Sequence, residues 1–98
     1  MNPAKFERLV SSARKAGIAT LAQLSCLIYI ANRGGGINHY QMAADCRLSR
    51  TGACHMTRRL HELEFITRVT GPGQTNEVEI SLSPLGRAWL ESVGISAA

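Results

Sequence analysis

Apolar residues recur every three or four positions over the first two thirds of the chain, which is the spacing of helices that bury one side. The predicted helices are residues 3–16, 21–32, 39–47 and 49–64. Residues whose side chains can cap a helix stand at their starts: Asn2, Thr20, Asn38 and Ser49. Ile37 is a lone apolar residue after three glycines and predicts a short extended piece before the third helix.

The apolar spacing changes to two after Phe65, which is typical of strands. Residues 65–70 and 77–83 are the predicted strands, and the loop between them is rich in turn-forming residues, so we expect a hairpin at about 66–82. Ser83 and Pro84 then begin a last helix at about 84–93, because serine caps a helix and proline fits its first turn.

The order of elements is therefore helix, helix, short extended piece, helix, helix, hairpin, helix. Only a short turn separates the third and fourth helices, which predicts a helix-turn-helix over about 38–64. A hairpin directly after it gives the winged-helix arrangement, a mainly α fold with a two-stranded β-hairpin wing. We expect residues 1–98 to form a single domain with terminal helices at about 3–16 and 84–93.

Positive charge is concentrated around the fourth helix. The 98 residues carry a formal net charge of +4, and five arginines against two glutamates lie between Arg47 and Arg68. This distribution is compatible with a nucleic-acid partner. The longest apolar run, residues 26–31, is too short to cross a membrane, and the charged N-terminus is unlike a signal peptide. We therefore expect a cytoplasmic protein without a membrane partner.

The fourth helix is the candidate recognition helix. Its apolar stripe predicts a buried side made of Ala53, Met56, Leu60 and Leu63. The first turns of a helix in the major groove reach the base edges. The candidates for reading bases are Arg50, Thr51, Cys54, His55 and Arg58.

Contacts to the DNA backbone are expected around that helix. The candidates are Asn38, His39, Arg47, Ser49, Arg59 and Arg68, with Gln74, Thr75 and Asn76 in the wing loop. The wing-loop residues could reach a phosphate or the edge of the minor groove. For any single arginine the alternative is a solvated surface charge, so the prediction rests on the group.

The cysteines and histidines raise the question of metal, redox or catalytic chemistry. A metal site would need Cys46, Cys54, His55 and His61, but neighbours in a helix point about 100° apart, so we expect no metal. The same divergence argues against a catalytic Cys-His pair, and we expect neither an enzyme nor a cofactor. Cys54, near a helix N-terminus and two arginines, is a candidate redox sensor, with a small groove-facing residue as the alternative.

Three motifs in the correct order resemble the MarR-type winged-helix transcriptional regulators, over about residues 20–87. The third helix and its turn read Q-M-A-A-D-C-R-L-S, similar to the family's x-L-A-x-x-L-x-L-S. The fourth helix reads S-R-T-G-A-C-H-M-T-R-R-L-H-E-L-E-F-I, similar to LSxxTVSRLVxRLExxGLI. The exit of the wing reads V-E-I-S-L-S-P-L-G-R, similar to V-x-L-T-x-x-G-R. Arg47 and Glu64 stand where the family usually has glycine, and the wing loop has no arginine at its tip.

The resemblance implies a homodimeric, sequence-specific regulator that binds double-stranded DNA, from a bacterium, a phage or a plasmid. The dimer seam is expected on the terminal helices, through Phe6, Leu9, Val10, Leu85 and Trp89, unless these residues pack in the core of one chain. No small-molecule ligand is evident. The competing hypothesis is a winged helix that docks another protein in a polymerase, replication or DNA-packaging complex.

Overall fold

The structure is a computed structural model that describes residues 2–34, 36–70 and 78–95. Its elements are α1 (Pro3–Lys15), α2 (Leu21–Arg33), α3 (His39–Asp45), α4 (Arg50–Glu62), β1 (Ile66–Thr70), β2 (Val78–Leu82) and α5 (Pro84–Ser92). This order confirms the predicted winged-helix arrangement, and the bounds differ from the expected ones by only one or two residues at most helix ends.

Each helix begins at the predicted cap because a side-chain oxygen accepts a hydrogen bond from a free backbone N–H of the first turn. The capping residues are Asn2, Thr20, Asn38, Ser49 and Ser83. In α3, Asn38 accepts from the N–H of Gln41 at 2.9 Å, and the Gln41 side chain accepts from the N–H of Asn38 at 3.1 Å. Each such cap is worth about 1 kcal/mol, so together they define the helix boundaries.

Four of the helices, α1, α3, α4 and α5, end in the same motif. The N–H of the second residue after the C-cap donates a hydrogen bond to the carbonyl five residues earlier. The pairs are Ile18 to Ala13, Leu48 to Ala43, Phe65 to Leu60 and Ile95 to Leu90, at 2.8 to 3.1 Å. The motif requires a left-handed residue between. Glycine fills that position after α1 and α5, but Arg47 (φ 55°) and Glu64 (φ 65°) fill it after α3 and α4.

The wing is an antiparallel pair of strands with Ile66 opposite Leu82 and Arg68 opposite Ile80. Ile37 adds a bridge to this pair, because its N–H donates to the Ile80 carbonyl at 3.2 Å and its carbonyl accepts from the Ile80 N–H at 2.7 Å. The extended piece predicted at Ile37 therefore ties the start of the helix-turn-helix to the wing.

One core joins α2, the helix-turn-helix, the wing and α5. Its fully buried apolar side chains include Leu27, Ile30, Ile37, Met42, Leu60, Ile80 and Leu90. On α4 the buried residues are Ala53, Thr57 and Leu60, while Met56 and Leu63 are only half-buried. The predicted stripe was thus right at Ala53 and Leu60, but the structure turns the helix so that the hydroxyl of Thr57 also lies inside.

Candidate nucleic-acid interface

The position of α4 is fixed by its packing on α3 and by the turn between the two helices. Ala53 and Leu60 are buried against the core, and Leu48 in the turn donates its N–H to the Ala43 carbonyl at 2.8 Å. Arg47 adopts the left-handed conformation that this turn requires. The helix is therefore held on one side and free on the other.

The free side of α4 carries all five residues predicted to read bases. These are Arg50, Thr51, Cys54, His55 and Arg58, and all are exposed. We call this group the outer face of α4. It holds two guanidinium groups, a hydroxyl, a thiol and an imidazole, and no carboxylate. Such a surface can donate hydrogen bonds to base edges and can attract phosphate.

Arg50, the first residue of α4, contacts Tyr40 of α3. The Arg50 Nη2 donates to the Tyr40 hydroxyl at 2.7 Å, and the guanidinium carbon lies 4.6 Å from the centre of the ring. Tyr40 is 54% exposed, so this large aromatic side chain lies on the surface. The spacing of Tyr40 and Arg50 gave no signal of this contact, because it depends on how α3 and α4 cross.

His39, Thr57 and Cys54 meet at the junction of α3 and α4. The His39 Nε2 lies 2.9 Å from the Thr57 hydroxyl, which donates its one proton to the Cys54 carbonyl at 3.1 Å. The Nε2 of His39 must then be the donor to Thr57, which leaves its Nδ1 as an acceptor facing the Cys54 sulfur at 4.0 Å. These bonds account for the buried hydroxyl in α4, which would otherwise be costly.

The surroundings of His39 disfavour its charged form. Burial is the main cause that lowers the pKa of His39 below its ordinary value, and the positive charge of Arg68 on β1 lowers it further. Arg68 lies opposite Ile80 in the wing, and Ile80 bridges to Ile37, two residues before His39. Of the backbone-contact candidates, Arg47 and Arg68 are exposed, while His39 is half-buried.

Three other candidates for backbone contacts already have structural roles. Asn38 and Ser49 cap α3 and α4 with their side-chain oxygens. The Arg59 Nη2 donates to the Gly17 carbonyl at 3.4 Å, and its Nη1 lies 3.5 Å from a Glu62 carboxylate oxygen. Arg59 therefore leans toward the turn between α1 and α2. The wing-loop candidates Gln74, Thr75 and Asn76 lie outside the described residues.

The three cysteines occupy different environments. Cys54 is exposed on the outer face of α4, whereas Cys26 is buried and Cys46 is half-buried. Burial, with the neighbouring Cys46 as a smaller cause, raises the pKa of Cys26 to about 12. Within residues 2–34, 36–70 and 78–95, no three His, Cys, Asp or Glu side chains converge as metal ligands would.

The five residues predicted for a dimer seam divide into two groups. Phe6 and Leu85 are about half exposed, at 50% and 49%. Leu9 is buried, Val10 is half-buried, and Trp89 stacks on Phe65 with 5.6 Å between ring centres. An open cleft of about 580 Å³ also lies between α1 and the end of α5. No helix in the described part of the chain is long and apolar enough to cross a membrane.

Solved structures that match this chain include regulators of the MarR type. The chain matches a Mycobacterium tuberculosis protein, RV1404, at 26% identity and a TM-score of 0.71, over 85% of this chain and 56% of that one. It matches MarR at 23% identity and 0.72, over 85% and 59%. It matches Staphylococcus aureus MepR, solved in complex with DNA, at 17% identity and 0.75, over 88% and 69%.

The sequence matches no protein-family model and no curated protein. The chain spans 56% and 59% of the lengths of RV1404 and MarR. The likeness to the solved structures confirms the resemblance drawn from the three motifs: the chain has the winged-helix fold of the MarR-type regulators.

Proposed function

We propose that the chain is a sequence-specific, double-stranded DNA-binding transcriptional regulator that inserts α4 into the major groove. The observation that carries the proposal is the outer face of α4, on which five hydrogen-bonding or charged side chains are exposed while Ala53, Thr57 and Leu60 hold the opposite side. The major groove is about 12 Å wide and admits a helix of about 10–12 Å in diameter. The fold is shared with MepR, which has been solved with DNA.

Within this proposal, Arg50 and Arg58 are the main base-reading side chains. A guanidinium can bond O6 and N7 of one guanine together, and each such pair discriminates by about 1–3 kcal/mol. Arg47 and Arg68 flank α4 from the turn and from β1, where they can pair with phosphates of the bordering strands. The wing at 66–82 then lies along the backbone or the minor groove.

We further propose that the active form is a homodimer joined through the terminal helices. Phe6 of α1 and Leu85 of α5 expose apolar surface that one chain leaves uncovered. Two-fold dimers place two recognition helices about one turn of DNA apart and therefore read palindromic sites. Leu9 and Trp89 would support this seam from within each chain.

The test compares two double variants that remove the same charge from different places. Arg50→Ala/Arg58→Ala removes two arginines from the outer face of α4. Arg14→Ala/Arg33→Ala removes two exposed arginines near the ends of α1 and α2. The affinity of each for a random-sequence 30-base-pair duplex is measured by fluorescence anisotropy at several salt concentrations. Melting curves of both variants check that they fold.

The wild type is expected to bind more weakly as salt rises, because binding releases counterions from the phosphates. On random-sequence DNA, Arg50 and Arg58 meet no matching bases and contact phosphates instead, so the α4 variant should reduce the slope of log K against log salt by about 2, at about one per lost phosphate contact. The α1/α2 variant should keep the wild-type slope. Absence of wild-type binding at low salt, or equal slopes for both variants, would refute the proposal and favour a protein-docking module.

Selection of duplexes from a random pool by the wild type tests the dimer. A selected motif with two-fold symmetry, with half-sites about 10 base pairs apart, is expected from two recognition helices. A Phe6→Glu/Leu85→Glu variant should sediment as a monomer and lose preference for the palindrome. An asymmetric motif would contradict the dimer but not the use of α4.

A further inference from the structure

Tyr40 holds the side chain at the leading end of the recognition helix. Arg50 is the first residue of α4, and the only direct contacts described for its guanidinium are with Tyr40 of α3. One contact is the 2.7 Å hydrogen bond to the hydroxyl, and the other is the stacking of the guanidinium carbon 4.6 Å from the ring centre. Two contacts at different points of one planar group fix its orientation as well as its position.

We propose that Tyr40 is a positioning residue for Arg50, which holds the guanidinium in its DNA-reading orientation before DNA arrives. The proposal rests on the proposed function, because it needs Arg50 to contact DNA. It adds a specificity-determining residue that lies on α3, outside the recognition helix. Tyr40 itself need not touch a base.

Holding Arg50 in one orientation should raise DNA affinity, because a free arginine side chain is flexible. A free arginine side chain samples many rotamers, and binding in one of them costs conformational entropy. A planar guanidinium must also match the two acceptors of one guanine, so its rotation matters as much as its reach. The Tyr40 ring stacks on the guanidinium, and the Tyr40 hydroxyl accepts a hydrogen bond from it. The side chain of Arg50 is therefore already partly ordered in the free protein. Pre-ordering one such side chain is worth about three-fold to ten-fold in affinity.

The contact between Tyr40 and Arg50 lies at the surface, on the side of α4 that is proposed to face DNA. Tyr40 is exposed, so removal of its ring leaves no cavity in the core. No carboxylate shares the guanidinium of Arg50 among the described salt bridges. Arg59, in contrast, pairs with Glu62 and the Gly17 carbonyl. Arg50 is thus oriented by an aromatic ring and not by a carboxylate. A phosphate or a guanine can therefore bind the guanidinium without first breaking an ion pair.

A double-mutant cycle tests the proposal. The variants are Tyr40→Leu, Tyr40→Phe, Arg50→Ala and Tyr40→Leu/Arg50→Ala. The control is Tyr29→Phe, which removes the hydroxyl that donates to Asp45 at 2.6 Å, away from the outer face of α4. The probe is a duplex selected from a random pool by the wild type, together with duplexes that carry each single base-pair change in it. Melting curves of all variants are recorded.

Arg50→Ala should flatten the preference at one base pair of the selected site. Tyr40→Leu should weaken binding about three-fold to ten-fold and flatten the preference at that same base pair. In the Arg50→Ala background, Tyr40→Leu should change affinity less than two-fold. Tyr40→Phe keeps the stacked ring and should fall between Tyr40→Leu and the wild type. Tyr29→Phe should bind as the wild type does.

Three results would overturn the proposal while leaving DNA binding intact. Tyr40→Leu and Arg50→Ala could act additively, Tyr40→Leu could keep the full preference at the Arg50-dependent base pair, or Tyr40→Leu could bind more tightly. The last result would mean that Tyr40 holds Arg50 away from DNA. If Tyr40→Leu fails to fold, Tyr40→Phe in the wild-type and Arg50→Ala backgrounds supplies the same comparison. Loss of binding by the wild type itself would instead refute the proposed function.

Discussion

Replacement of Arg47 by glycine should stabilise the fold and weaken DNA binding at the same time. Arg47 has φ 55° in the turn before α4, where two other helices of this chain use glycine for the same motif. The left-handed conformation costs a residue with a Cβ about 1–2 kcal/mol. Glycine removes that cost, but it also gives the unfolded chain more conformational freedom. This second effect destabilises the fold by about 0.4–1 kcal/mol.

The difference is a net stabilisation of about 0–1.6 kcal/mol for Arg47→Gly, with a central value of about 0.8 kcal/mol. In a domain of this size the central value corresponds to a rise in melting temperature of about 3–6 °C. The same substitution removes an exposed guanidinium next to the outer face of α4. If Arg47 pairs with a phosphate, the salt slope of DNA binding should fall by about 1.

Two matched variants separate the backbone from the side chain. Glu64→Gly relieves φ 65° at the other end of α4 and should raise the melting temperature similarly without a loss of DNA affinity. Arg47→Ala removes the charge but keeps the Cβ, so it should weaken DNA binding without the rise in stability. Thermal unfolding by circular dichroism and anisotropy titrations supply both measurements. A melting temperature of Arg47→Gly at or below that of Arg47→Ala would refute the strain argument.

Three further variants or treatments test other parts of the structure. Gly86→Ala should destabilise the fold by about 3 kcal/mol in urea unfolding, because a Cβ there would overlap the Phe65 carbonyl oxygen; an unchanged midpoint would contradict that packing. Alkylation of exposed Cys54 by N-ethylmaleimide should abolish DNA binding in the wild type but not in Cys54→Ser, and equal inhibition of both would exclude Cys54 as the cause. Because the pKa of His39 is lowered in the folded chain, the unfolded chain takes up its proton first as pH falls below about 6.5, so stability should decline there. His39→Gln should show a smaller decline between pH 7.5 and 5.5, and an identical one would show that other groups are responsible.

Local signals in the sequence were sufficient for the architecture. A capping side chain marks each helix start, and the change of apolar spacing after Phe65 marks the wing. Even the single apolar residue Ile37 was correctly predicted as an extended piece. These features depend on neighbours within about four residues, which is the range over which backbone hydrogen bonds and helix periodicity act.

The site could be predicted only as far as one helix determines it. A helical wheel gave the outer face of α4 correctly, because exposure there follows from the opposite buried side. It could not give the contact of Arg50 with Tyr40 or that of His39 with Thr57. These pairs are separated by 10 and 18 positions and meet only through the crossing of α3 and α4. Thr57 is not part of the predicted buried side of α4, because its burial depends on a partner for its hydroxyl that the pattern does not reveal.

The departures from simple sequence rules gather in the helix-turn-helix. Thr57 is polar in the core, Tyr40 is a large aromatic residue on the surface, and Arg47 is left-handed without being glycine. Such departures are expected where function opposes stability, and each of these three lies beside the outer face of α4 or beneath it. Glu64 breaks the same backbone rule at the far end of α4, where its carbonyl accepts from the Ser83 hydroxyl at 2.6 Å. That bond uses the backbone carbonyl, which any residue would supply, so nothing in the structure explains a glutamate at this position. A left-handed backbone alone therefore does not identify a DNA-binding residue. The distinction between Arg47 and Glu64 must therefore come from what the side chain contacts when DNA is present.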